Sequence, residues 1–131
     1  MKQIALSIGL ILGFLIVVVA CDYGKPGGEA QKAGSAGDSA LMSPASSAGR
    51  MDNDEGVGHY KQSHWDVAEG HFRKAVKADP NLAEARYNLG LALDKMGKHE
   101  EATAEFKKAA ELAPTNPAIK DSEILKKHTS M

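Results

Sequence analysis

Apolar and polar positions follow three different rules along this chain. From Ile4 to Ala20, 17 residues run without a charge and without a period. From Asp22 to Arg50 the larger apolar residues are only Tyr23, Leu41 and Met42, set among 6 Gly, 6 Ala and 5 Ser. From about Met51 onward the spacing is helical. Leu82, Ala85, Leu89, Ala92, Leu93 and Met96 recur three or four apart and so share one helix face. Asn81 is the expected N-cap, with Glu84 three residues on to reach back. Gly97 is the expected stop, since glycine tolerates left-handed dihedrals. The following helix carries Ala102, Phe106, Ala109, Ala110 and Ala113, and Pro114 ends it by Ala113. Asn116-Pro117 opens one more helix, with Ala118, Ile119, Ser122 and Leu125 as its apolar stripe. Earlier, Ser63 and Asp66 read as a capping box for a helix with Val67, Ala68, Phe72, Ala75 and Val76 inward. Before it, Met51 to Gln62 predicts the weakest helix, because Gly56 and Gly58 each cost about 1 kcal/mol relative to Ala. The fold class is therefore all-α.

Two of these stretches repeat at an interval of 34 residues. Ala68 matches Ala102, Phe72 matches Phe106, Ala75 matches Ala109, Pro80 matches Pro114, and Gly56 matches Gly90. A fixed period of this length means one small supersecondary unit, repeated and stacked. The residues resemble the tetratricopeptide repeat, a helix–turn–helix unit of this length. In the second unit, Tyr87-Asn88-Leu89-Gly90 fits the first helix, Gly97 the turn, and Ala102, Phe106, Ala109 and Pro114 the second helix and its end. Gly90 and Ala102 are small where helices cross, and Phe106 fills the gap between units. Arg86 departs from the pattern in an aromatic slot, and Leu93 in a tyrosine slot. In the first unit, Trp65 fills the aromatic slot, but Asp52 and Glu55 stand where large apolar residues are usual. There His59 takes the tyrosine slot and Tyr60 falls one residue late, by a one-residue slip or a degenerate helix. The resemblance implies a solenoid over 51–128: units of about 49–82 and 83–116, then a capping helix at 117–128.

The start of the chain changes the picture. Met1-Lys2-Gln3 followed by the apolar run is the pattern of a secretory signal. Val18-Val19-Ala20-Cys21 resembles a bacterial lipobox, which implies cleavage after residue 20 and lipidation of Cys21. Cys21 is the only cysteine, so no intramolecular disulfide can form and packing must supply stability. The Gly/Ala/Ser composition of 21–50 cannot bury enough surface to offset chain entropy and predicts a flexible tether. Asp22, directly after the lipidated position, favours the inner membrane by resemblance to enteric lipoproteins, with the outer membrane left open. The expected location is the cell envelope, facing the periplasm or exterior.

Charge and motifs narrow the chemistry. Sixteen basic and 17 acidic residues give a formal net charge of −1, which leaves no electrostatic footprint for nucleic acid. No G-x-S-x-G, Walker, Rossmann, HExxH or CxxCH motif occurs, so no catalytic residue and no cofactor is expected. The five histidines, His59, His64, His71, His99 and His128, make no i,i+4 pair and read as solvated surface, with no metal site. By resemblance, the first helix of the second unit lines a groove for a protein or peptide partner through Glu84, Tyr87, Asn88, Leu91, Asp94 and Lys95. Asn88 is the residue type that hydrogen-bonds a bound backbone or carboxylate in peptide-clamping members; the plainer expectation is that it solvates a helix surface. Two units are few for a continuous core, and self-association or a partner would supply the missing surface. The expected function is a lipid-anchored protein-interaction adaptor, the alternative a structural subunit of an envelope assembly.

Overall fold

The computed structural model describes residues 39–130. The expected signal segment 1–20, Cys21 and the tether as far as residue 38 lie outside the described residues. The described chain is helical: α1 Arg50–Lys61, α2 Trp65–Ala78, α3 Ala83–Lys95, α4 His99–Leu112, α5 Pro117–Lys120 and α6 Glu123–Thr129. The main contacts run α1 to α2, α2 to α3 and α3 to α4, and α6 packs on α4. No described helix is long and apolar enough to cross a membrane.

The 34-residue echo has one steric cause. A Cβ added at Gly56 would stand 2.6 Å from the Phe72 ring, and one at Gly90 would stand 2.7 Å from the Phe106 ring. The ring of each second-helix phenylalanine thus occupies the space beside the glycine of its own first helix. Phe72 and Phe106 are completely buried, as are Ala68, Ala75, Ala102 and Ala109. Burying a phenylalanine fully is worth about 1.5–3 kcal/mol. The first unit is accordingly well formed: α1 buries Asn53, Gly56, Val57 and Tyr60. Gly56 weakens helix propensity, but it is what lets α2 approach. Tyr60 is held edge-on to Trp65 at 4.8 Å between ring centroids.

Helix α3 is the centre of the structure. Nine of its 13 residues are buried, including Tyr87 and Leu91 on the side opposite the expected stripe. A helix apolar all round is one that is covered all round, and α1, α2 and α4 all contact α3. Arg86, the departure from the aromatic slot, spans the α2–α3 turn. Its Nε donates to Pro80 O at 2.9 Å, and its Nη1 pairs with Glu105 Oε2 at 2.9 Å.

Several local expectations are corrected. Asn81 does not cap α3: the N-cap is Leu82, and Asn81 N–H donates to Asp79 Oδ1 at 3.1 Å. Ser63 does not cap α2. It takes a left-handed φ of 62°, and His64 stands at the N-cap without a side-chain bond. Val67 is exposed rather than inward, since Ala68 and Phe72 already fill that crossing. Gly97 does end α3, at φ 76°. Asn116 does cap its helix, accepting from Ala118 N–H at 3.0 Å. That helix is only one turn, however. The chain breaks at Asp121–Ser122 and restarts as α6, capped by the Ser122 hydroxyl, which also bonds the Tyr87 hydroxyl at 2.7 Å. Around the break Ile119, Ile124 and Leu125 join the core cluster, and His128 is buried at 6% exposure.

Candidate functional site

The largest departure from expectation lies before α1. Residues 39–49 form an ordered strap without helix, turning at Pro44–Ser47. The strap lies on the face shared by α1 and α3. Its anchor is Leu41. The Leu41 N–H donates to Asn88 Oδ1 at 2.7 Å, and Asn88 Nδ2 donates back to Leu41 O at 2.7 Å. Asn53 Nδ2 also donates to Leu41 O, at 2.9 Å. The second N–H of Asn88 reaches Asn53 Oδ1 at 2.8 Å. Both donors of the Asn88 carboxamide are used, and Leu41 O accepts twice. Two residues on, Ser43 N–H donates to Asp54 Oδ1 at 3.2 Å. Asp54 precedes Asn88 by 34 residues, so equivalent positions of the two units hold alternate backbone N–H groups of one segment. Ala40 and Leu41 pack on the main core cluster.

Asn53 and Asn88 are both fully buried. Burying an amide without partners costs several kcal/mol in an apolar setting, so a buried pair of this kind persists only when its hydrogen bonds are met. Leu41 meets them with main-chain atoms alone. The face therefore holds a peptide backbone, with the Leu41 side chain packed on the core beside it.

The six residues expected to line the groove have different fates. Asn88 grips the strap. Tyr87 and Leu91 do not form an exposed apolar patch: both are buried, and Tyr87 lies 5.6 Å from the Phe106 ring. Glu84 accepts from Asn116 Nδ2 at 3.3 Å. Asp94 faces away from the strap's anchor, toward His99 and His128. Lys95 is exposed. Sequence reasoning missed Asn53, Asp54 and the strap itself. The signal was present in the 34-residue spacing from Asp54 to Asn88.

The histidines are not uniformly solvated surface. His128 is 6% exposed, and His59 stacks on His71 at 5.2 Å between centroids. Asp94 Oδ1 lies 2.8 Å from His99 Nδ1 and 2.9 Å from His128 Nε2. Partial burial pushes the Asp94 carboxyl up, but the hydrogen bonds and charge of the two rings outweigh it and hold it below the usual carboxylate range. A second charged cluster ties α2 to the α3–α4 turn. Glu69 meets Arg73 at 2.7 Å and Lys98 at 2.9 Å, and Arg73 reaches Glu101 at 3.0 Å. Burial raises the Glu69 carboxyl, and the Lys98 and Arg73 hydrogen bonds more than reverse this.

Paired helices stacked through a repeated Gly–Phe contact define a helical repeat solenoid, a class that serves as a protein-interaction scaffold. Residues 53–117 match the family model of the tetratricopeptide repeat, and the described residues have the fold of a helical tetratricopeptide-repeat solenoid. The chain is also similar to anaphase-promoting complex subunit 3 of Schizosaccharomyces pombe, with 29% identity over 65 residues. That match covers 50% of this chain and 10% of the yeast protein.

Proposed function

We propose that the α1–α3 face is the docking site for a peptide segment of a protein partner, and that the chain acts as an adaptor at the cell envelope. One observation carries the reading: Asn88 pairs with both backbone groups of a single bound residue, Leu41. A carboxamide set this way recognises a peptide unit of any sequence, and Asp54 adds a second grip two residues along. The chain's own residues 39–43 take that place, so a partner must displace them. The tetratricopeptide-repeat fold supports protein binding in general. The envelope anchor rests on Val18-Val19-Ala20-Cys21, with acyl chains on Cys21 holding the domain to the membrane and residues 22–38 spacing it away. More than one acyl chain gives anchoring that a single chain does not.

The test is affinity capture from detergent-solubilised envelopes with three baits: the natural chain, a chain lacking residues 39–43, and that shortened chain carrying Asn88→Ala. The shortened chain should recover a partner in greater yield, and Asn88→Ala should abolish the gain. Equal recovery by all three would remove the α1–α3 face from the function. Separately, Cys21→Ala should abolish incorporation of labelled fatty acid and leave the precursor uncleaved; labelling that persists would refute the anchor.

A further inference from the structure

We propose that Asp94, His99 and His128 bind a divalent transition-metal ion of the zinc type, and that this ion fastens α6 to the α3–α4 turn. The three side chains come from the end of α3, the start of α4 and the last turn of α6, and their ligand atoms all lie within 4.8 Å of one another. Two imidazoles and a carboxylate are a donor set that zinc accepts, with the remaining position of a tetrahedron left open. That position has room: a hollow of about 410 Å³ opens beside the cluster, lined by His99, Glu100, Thr103, Lys127 and His128.

A fixed ring orientation supports the site. Thr103 Oγ1 donates its one hydroxyl proton to His99 O at 2.8 Å. The same oxygen is 2.8 Å from His128 Nδ1, so it is placed to accept from that nitrogen. This holds the ring with Nε2 aimed at Asp94 Oδ1, 2.9 Å away, and His99 Nδ1 lies on the other side of the same oxygen as a further ligand. The Thr103 contact is what zinc chemistry uses elsewhere: a bond on the far ring nitrogen that fixes the tautomer and aims the near one. Zinc–nitrogen and zinc–oxygen bonds of about 2.0–2.2 Å put tetrahedral ligands roughly 3.4 Å apart. The observed 2.8 and 2.9 Å need only open by about half an ångström, and the His99 side chain, 66% exposed, has the freedom to do so. The ligands lie in no sequence motif because they come from three elements.

The full chain, purified in mild detergent and stripped with a chelator, is titrated with zinc chloride against a chromogenic competitor and melted with and without zinc. His99→Ala is the principal variant, because His99 is exposed and its loss leaves the fold standing. His71→Ala is the control for the other carboxylate–imidazole cluster, Asp52, Glu55 and His71. The natural chain and His71→Ala should share a zinc site that His99→Ala lacks. Zinc at 100 times its Kd should raise the folded-to-unfolded ratio of the natural chain about 100-fold, and not that of His99→Ala. Cobalt in place of zinc should show the visible bands of tetrahedral coordination. Absence of zinc binding, or binding and melting shifts identical in His99→Ala, would overturn the proposal.

Discussion

Asn88→Ala separates two jobs done by one side chain. With the strap seated, the substitution removes the acceptor of Leu41 N–H, one of two donors to Leu41 O, and the donor to Asn53 Oδ1. A neutral hydrogen bond is worth about 0.5–1.5 kcal/mol net, and a buried partner left unmet costs about 1–3 kcal/mol. The molecule can limit this loss by releasing residues 39–43 and letting water reach Leu41 and Asn53. We therefore expect a total loss of about 2–3 kcal/mol, with the strap detached. A four-chain cycle isolates the strap's share: natural chain, Asn88→Ala, a chain lacking 39–43, and both changes together. Two direct bonds join Asn88 to Leu41, so the coupling between the changes should be about 1–3 kcal/mol. Urea unfolding followed by circular dichroism gives the four stabilities, and amide hydrogen exchange at Leu41 gives the local opening. Sites that do not interact add within about 0.3–0.5 kcal/mol. Coupling inside that margin, or a Leu41 amide in the natural chain exchanging like an unstructured peptide, would refute the clamp.

Glycines in one helix should respond with opposite signs. Gly56→Ala forces a Cβ against the Phe72 ring and should cost about 1–3 kcal/mol, whereas Gly58→Ala meets nothing within 4 Å and should gain about 0.5–1 kcal/mol; urea midpoints decide. Ser122→Ala removes the cap on α6 and the bond to the Tyr87 hydroxyl, so it should cost about 1–2 kcal/mol and speed amide exchange across α6 more than across α1. Glu69 is held below its ordinary value in the folded state. Its stabilising share is therefore present above the unfolded carboxyl's ~4.3 and is lost as pH falls through the lower folded value. Urea midpoints measured from pH 7 down to pH 3 should fall less steeply in Glu69→Gln than in the natural chain.

What could be read from the sequence follows from what each signal depends on. The Gly–Phe pairs were visible because a close crossing needs a small residue facing a large one, and both keep their spacing in each unit. Helix limits were right where a backbone requirement set them, at Gly97 and Asn116-Pro117. They failed where a polar side chain merely permitted a cap, as at Ser63 and Asn81, and at Ser122, where an apparent stripe residue is a break. The family resemblance puts Tyr87 and Leu91 on an open groove, while α3 is enclosed on several sides and buries both. The strap escaped for a different reason. Composition measures how much apolar surface a segment can bury, and residues 39–43 are held chiefly through their backbone. Buried Asn53 and Asn88 supply the partners, and main-chain recognition leaves no trace in the sequence being recognised.

The expectation of self-association rested on two units being too few to cover their own core. Two repeat units stacked alone would leave the outer faces of α1, α3 and α4 open, and a second copy or a partner would be needed to cover them. Within this chain, the strap covers the α1–α3 face with Ala40 and Leu41, and α6 covers α4 with Ile124 and Leu125 buried. Completeness is thus achieved by two short segments with unequal holds. Helix α6 is fixed by its cap, its apolar side chains and the His128 cluster. The strap has the Leu41 and Ser43 backbone bonds and little buried side chain, since Met42 points to solvent. Opening free energies within one protein range from near zero to the global value, and elements with few apolar contacts sit at the low end. The strap is therefore the segment that leaves first, and the surface it uncovers is the one already shaped to hold a peptide backbone.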